Sequence, residues 1–124
     1  MPNDIKYRCY KYGISVIKYL RSKKWDAFST IAVKQVMRSA MSVGANVVEA
    51  KNSSSGVEFK RYYEIALKSG NETKYWLCVL RDGFDINDEE IKLLLNEGTE
   101  ICKILAASIL TLKQNGNINN KLKK

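Results

Sequence analysis

The sequence predicts an all-α protein, an antiparallel up-down-up-down four-helix bundle that forms a single domain over residues 1–114. Three observations carry this. The 124 residues include one proline and seven glycines, so long helices meet no obstacle and a many-turned all-β fold would lack its turn residues. Apolar residues recur at three- and four-residue spacing through four segments, the period of a helix with a buried face. Short polar stretches separate the segments, and short connections place successive helices side by side and antiparallel.

The first helix is expected at about 4–22, with Tyr10, Ile14, Ile17 and Leu20 on its apolar face. Lys23 and Lys24 follow where the negative end of the helix dipole favours cations. The second, about 26–51, is apolar over a wide arc that includes Phe28, Ile31, Val36, Met41, Val43 and Val48. A helix of that kind touches two or more neighbours, within the bundle or across a subunit interface. The third, about 55–81, opens on a capping box in which Ser55 and Glu58 satisfy each other's backbone N–H, and stops at Asp82-Gly83. The fourth, about 88–114, has a second box, Asn87 with Glu90, and a seam of Ile91, Leu94, Ile101, Leu105 and Ile109. Residues 115–124 read as a disordered basic tail.

Composition narrows the chemistry. There is no histidine, which removes His-based triads, His-dependent ribonucleases and the Glu-x-x-His motifs of di-iron bundles. Glu49 and Glu72 alone do not make such a metal site. Cys9, Cys78 and Cys102 are odd in number and widely spaced, so they read as three buried thiols in a reducing compartment. The N-terminus lacks the apolar core of a signal peptide and no uncharged stretch would span a bilayer, so a cytoplasmic location is expected. The chain is expected to bind rather than catalyse, without cofactor or metal.

The net charge of +8 is uneven. Residues 1–53 hold ten Lys/Arg against three Asp/Glu, whereas residues 82–124 hold six against seven. A basic N-terminal half suits a polyanion or an acidic partner. On the first helix Arg8, Lys11, Lys18 and Arg21 share one broad arc, extended by Lys23 and Lys24; this is a nucleic-acid-binding face or a solvated one. In the second helix, small residues surround Gly44, and a mid-helix glycine costs about 1 kcal/mol relative to alanine, so close approach of another helix is implied. Arg38, Ser42, Asn46 and Glu49 form a polar stripe there, with Glu72 and Thr73 of the third helix as partners. The stripe is a structural network or interface, with a ligand site and an exposed face as the competing readings. Trp76, with Tyr75, Tyr62 and Tyr63, fits core and interface packing better than base stacking.

The run QVMRSAMSVGANVVEA, with SSSGVEFKRYYEIALKSGNETKYWL after it, resembles the bacterial four-helix-bundle family named for proteins encoded in 23S rRNA intervening sequences. The likeness is most specific over residues 35–81, including Arg38, Ser39, Ser42, Ala45, Asn46, Glu49, Ala50, Glu72, Thr73, Tyr75, Trp76 and Leu77. Gly70-Asn71 departs from the helix-favouring residues of relatives, which suggests a looser third helix, and Lys51-Asn52 replaces small residues. The resemblance implies a ring-shaped homopentamer. A related branch, the accessory variability determinants of diversity-generating retroelements, implies more: RNA and a reverse transcriptase as partners. The other branch implies a structural or protein-interaction module without a nucleic-acid role.

Overall fold

Helices α1 (Ile5–Arg21), α2 (Ala27–Lys51), α3 (Gly56–Gly83) and α4 (Glu89–Leu122) make up most of a computed structural model that describes residues 4–122, with side chains to Asn115. Each start is set by a side chain that accepts a free backbone N–H of the first turn. Asp4 accepts from Lys6 at 3.0 Å and Ser55 from Glu58 at 3.2 Å. Asp26 accepts from Ser29 at 2.8 Å, and Ser29 Oγ accepts in return from the Asp26 N–H at 3.1 Å.

Three local expectations are corrected. Only half of the Ser55 box forms, because the Glu58 carboxylate accepts from Ser54 Oγ at 3.4 Å. The α4 cap is Asp88 and not Asn87: Asp88 Oδ1 accepts the Ile91 N–H at 2.9 Å while its carboxylate is also held by Tyr19 and Lys23. α3 stops at Gly83, as expected, and two residues on Asp85 takes a left-handed conformation (φ 56°) that its short polar side chain tolerates. α4 is described to Leu122, past the end expected at 114, with no proline there to stop it; Lys123 and Lys124 of the expected tail lie outside the described residues.

Specific contacts give the topology. Gly44 faces Cys9 while Gly13 faces Ala40, so α1 and α2 are antiparallel. Ser39 meets Thr73 and Ser42 meets Ser69 across α2 and α3. Gly70 lies against Cys102, and Lys74 packs over Gly98, across α3 and α4. Arg8 pairs with Glu97 and Lys23 with Asp88 across α1 and α4. In every pair one residue number rises as the other falls, so each helix is antiparallel to both neighbours. Among the described residues no Cα atoms of diagonal helices come within 8 Å, and α1 meets α4 least closely of the adjacent pairs. The core is aliphatic, centred on Val16, Val36, Val43, Leu77, Ile101 and Leu105.

Two glycines fit the polar ends of large neighbours. A Cβ on Gly70 would stand 2.7 Å from Cys102 Sγ; this residue admits a thiol, and α3 runs unbroken through Gly70-Asn71 instead of loosening. A Cβ on Gly98 would stand 2.8 Å from the Tyr12 hydroxyl and 3.3 Å from Lys74 Cγ. Gly44 is less constrained, with Cys9 backbone atoms 3.6 Å from the added carbon. All three cysteines are free; Cys9 and Cys102 are buried, but Cys78 is only half-buried, contrary to expectation. Burial pushes the Cys9 thiol up to about 12 and raises that of Cys102.

The Tyr12 hydroxyl is buried and has no hydrogen-bond partner among the described residues. An unmet buried hydroxyl costs about 1–3 kcal/mol. Tyr12→Phe should therefore stabilise the fold by about 1 kcal/mol in urea unfolding. Gly98→Ala should destabilise it, since overpacking of about 1–3 kcal/mol exceeds the roughly 1 kcal/mol gained in helix propensity. In the Tyr12→Phe background most of that loss should vanish.

Candidate functional site

The polar stripe of α2 becomes a ladder of short hydrogen bonds against α3. Ser39 Oγ donates to the Gln35 carbonyl at 2.7 Å and accepts from Thr73 Oγ1 at 2.9 Å. Thr73 Oγ1 also lies 2.8 Å from the Ser69 carbonyl oxygen. Ser42 Oγ and Ser69 Oγ are 2.9 Å apart. Asn46 Nδ2 donates to the Ser42 carbonyl at 2.8 Å and to Ser42 Oγ at 3.0 Å. Outside the ladder, Arg38 donates to Glu72 at 2.7 Å and to Gln35 Oε1 at 3.1 Å.

Small hydroxyl residues serve two needs here. They let two backbones approach, and they bond one another directly. Glu49 stands apart, exposed and without an ion pair among the described residues. Trp76 is half-buried and packs edge-on to Tyr75 with ring centroids 5.0 Å apart, outside the ladder. Sequence reasoning missed Ser69 as a partner; its place four residues before Thr73, on the same helix face, was the available signal.

The cationic residues of the first helix divide into two sets. Arg8 donates Nε and Nη2 to the two Glu97 carboxylate oxygens, both at 2.7 Å, and this pairing raises its pKa despite some burial. Lys23 contacts Asp88 at 2.8 Å. Lys11, Lys18, Arg21 and Lys24 are exposed and form no ion pair among the described residues; Lys11 lies over the Tyr7 ring at 5.6 Å. Asp88 is a junction: it caps α4, pairs with Lys23 and accepts from Tyr19 Oη at 3.1 Å. Burial alone would raise its pKa, but the hydrogen bonds from Lys23, the Ile91 N–H and Tyr19 outweigh that and hold the carboxyl below its ordinary value.

Two surface grooves flank α1. The first, about 520 Å³, lies between α1 and α2, with Tyr7, Tyr10, Ile14 and Ile17 on one wall and Met41, Ala45 and Val48 on the other. Tyr10 is 63% exposed and Met41 47%; beyond the groove on α2, Phe28 and Ile31 are 79% and 65% exposed. The second, about 580 Å³, lies between α1 and α4, where Lys11 and Lys18 face Glu90 and Glu97 over a floor of Tyr12, Tyr19 and Leu94. Among the described residues no three His, Cys, Asp or Glu side chains gather to hold a metal, and no helix is long and apolar enough to cross a membrane.

These features define a helical-bundle protein whose α2 and α3 are joined by a hydrogen-bonded polar seam and whose two grooves border α1. The family model described as 23S rRNA-intervening sequence protein matches residues 5–107, and the chain belongs to that family. Among solved structures it is similar to a protein of unknown function from the S23 ribosomal protein family of Bacteroides thetaiotaomicron. That protein is 31% identical, with 86% of this chain and 98% of that chain covered and a TM-score of 0.76. No curated protein matches the chain.

The burial difference along the seam makes its members unequal. Thr73→Val should cost about 1–2 kcal/mol in chemical denaturation, as a buried ladder member is lost. Arg38→Ala should cost less than about 1 kcal/mol, because its pair is solvent-exposed. Asp88, whose pKa is lowered on folding, contributes stability above the ordinary carboxylate range that is lost as pH falls through its folded value. Asp88→Asn should accordingly flatten the loss of stability below about pH 4, read as urea midpoints against pH.

Proposed function

We propose that the protein is a cytoplasmic, non-enzymatic homo-oligomer, pentameric as the family resemblance implies, that binds nucleic acid along a repeated α1 face. The observation that carries this is the α1–α2 groove. Tyr7, Tyr10, Ile14 and Ile17 follow a three-four-three spacing, as do the rim positions Met41, Ala45 and Val48 in part, and nothing in the described chain covers them. Uncovered seams of this kind suit helix packing against another copy. Lys11, Lys18, Arg21 and Lys24 remain free for phosphates, and repetition around a ring turns a modest patch into an avid one. In the accessory role that the resemblance implies, the nucleic acid is RNA and the protein partner a reverse transcriptase.

A second reading, a protein-interaction module without a nucleic-acid role, is favoured by the acids of α4. Glu97 and Asp88 neutralise Arg8 and Lys23, and Glu90 faces Lys11 and Lys18 across the groove.

Light scattering on purified protein should give an oligomer, reduced to monomer by Ile14→Glu with Met41→Glu while helicity is kept. Reversing Lys11, Lys18 and Arg21 to Glu should weaken filter binding of structured RNA by about tenfold or more and flatten its salt dependence. No RNA affinity even at low salt would select the second reading, and a wild-type monomer would exclude the oligomer.

A further inference from the structure

The α1–α4 groove has a construction that differs from both a phosphate track and a self-association seam. Its two ends are closed by ion pairs, Arg8–Glu97 and Lys23–Asp88. Lys23 lies just past the end of α1, and on the α4 side Asp88 and Glu97 are nine residues apart, about 13 Å at helical rise. Between them α1 and α4 meet less closely than any other neighbouring helices, and the groove is floored by the edges of Tyr12, Tyr19 and Leu94, each at most 7% exposed, with Ser15 and Ser22 beside them. Leu93 rises at the rim, 58% exposed. Lys11 and Lys18 stand two helical turns apart on one lip with no ion-pair partner among the described residues, and Glu90 stands free on the other.

We infer that this groove seats an amphipathic helix of a protein partner, engaged over about two to three turns, with an apolar stripe on Leu93 and Leu94, acidic residues toward α1 and a basic residue toward Glu90. A straight channel between two antiparallel helices, apolar below and flanked by side chains at helical spacing, is what a third helix packs into. In the protein-interaction reading, Lys11 and Lys18 on one lip meet acidic side chains and Glu90 on the other a basic one, in place of the phosphates that the lysines meet in the nucleic-acid reading. A helix with both signs of charge is attracted by both lips and covers the floor. This inference rests on the protein-interaction reading and specifies where and by what chemistry that interaction occurs.

Three stapled helical peptides of about 15 residues test it, sharing one leucine stripe and differing in their flanks: Glu on one and Lys on the other, Glu on both, or Lys on both. With fluorescence anisotropy on the purified protein, the mixed peptide should bind at least about tenfold more tightly than the other two. Leu93→Glu, at an exposed position, should abolish that binding with the circular dichroism spectrum unchanged. Lys11→Glu with Lys18→Glu should transfer the preference to the all-Lys peptide. Equal binding of the three peptides, binding that survives Leu93→Glu, or no binding up to millimolar peptide would overturn the groove assignment. Displacement of the mixed peptide by structured RNA that itself requires Leu93 would overturn the peptide occupant in favour of RNA. The protein-interaction reading stands or falls separately, on the RNA filter-binding result.

Discussion

Everything in this fold is referred to the α2–α3 seam, where two helices approach closely enough for hydroxyl to meet hydroxyl. Ser39 and Thr73 are buried without any water-sized gap between them, and Ser42 with Ser69 repeats the contact further along the same seam. Larger side chains would separate the backbones, and smaller apolar ones would forgo the register that these hydrogen bonds impose. With α2 and α3 fixed in this way, α1 is laid against α2 at Gly44 and α4 against α3 at Gly70 and Gly98. The aliphatic core then fills the space the four axes enclose.

How much of this was legible in the sequence follows from the range of each interaction. Helix starts depend on residues within three positions of one another, so Ser55 and the onsets of α1, α2 and α3 could be placed from local pattern. Asp88 could not be separated from Asn87, because what selects it is Tyr19 and Lys23 on another helix. Likewise Arg8 looks like a free cation until Glu97, 89 residues away, is brought beside it. Gly70 illustrates the opposite error. Its low helix propensity suggests a loosened α3, yet its role is to clear space for Cys102, and packing outweighs a local preference of about 1 kcal/mol. In the polar stripe, Arg38, Ser42 and Asn46 lie where periodicity places them, next to Glu72, Ser69 and one another, whereas Glu49 falls on the turn of α2 that faces water.

The resulting division of labour is spatial. Arg38, Ser39, Ser42, Glu72 and Thr73 of the family-specific stretch bond across or along the α2–α3 seam, Asn46 bonds within α2, and Glu49 faces water. Two grooves border α1, one with an apolar wall toward α2 and one with charged lips toward α4.

That arrangement has a dynamic corollary in the ion pairs at the two ends of α1. With little direct packing between α1 and α4, Arg8–Glu97 and Lys23–Asp88 act as latches at the two ends of one edge of the bundle, and α1 is also the shortest helix. Local opening of a bundle starts where buried contact is least. Amide protons of α1 should then exchange ahead of those in α2 and α3, at a rate that rises with ionic strength because the latches are partly exposed and screened by salt. The helix that both grooves border is also the one whose attachment the surrounding medium can tune.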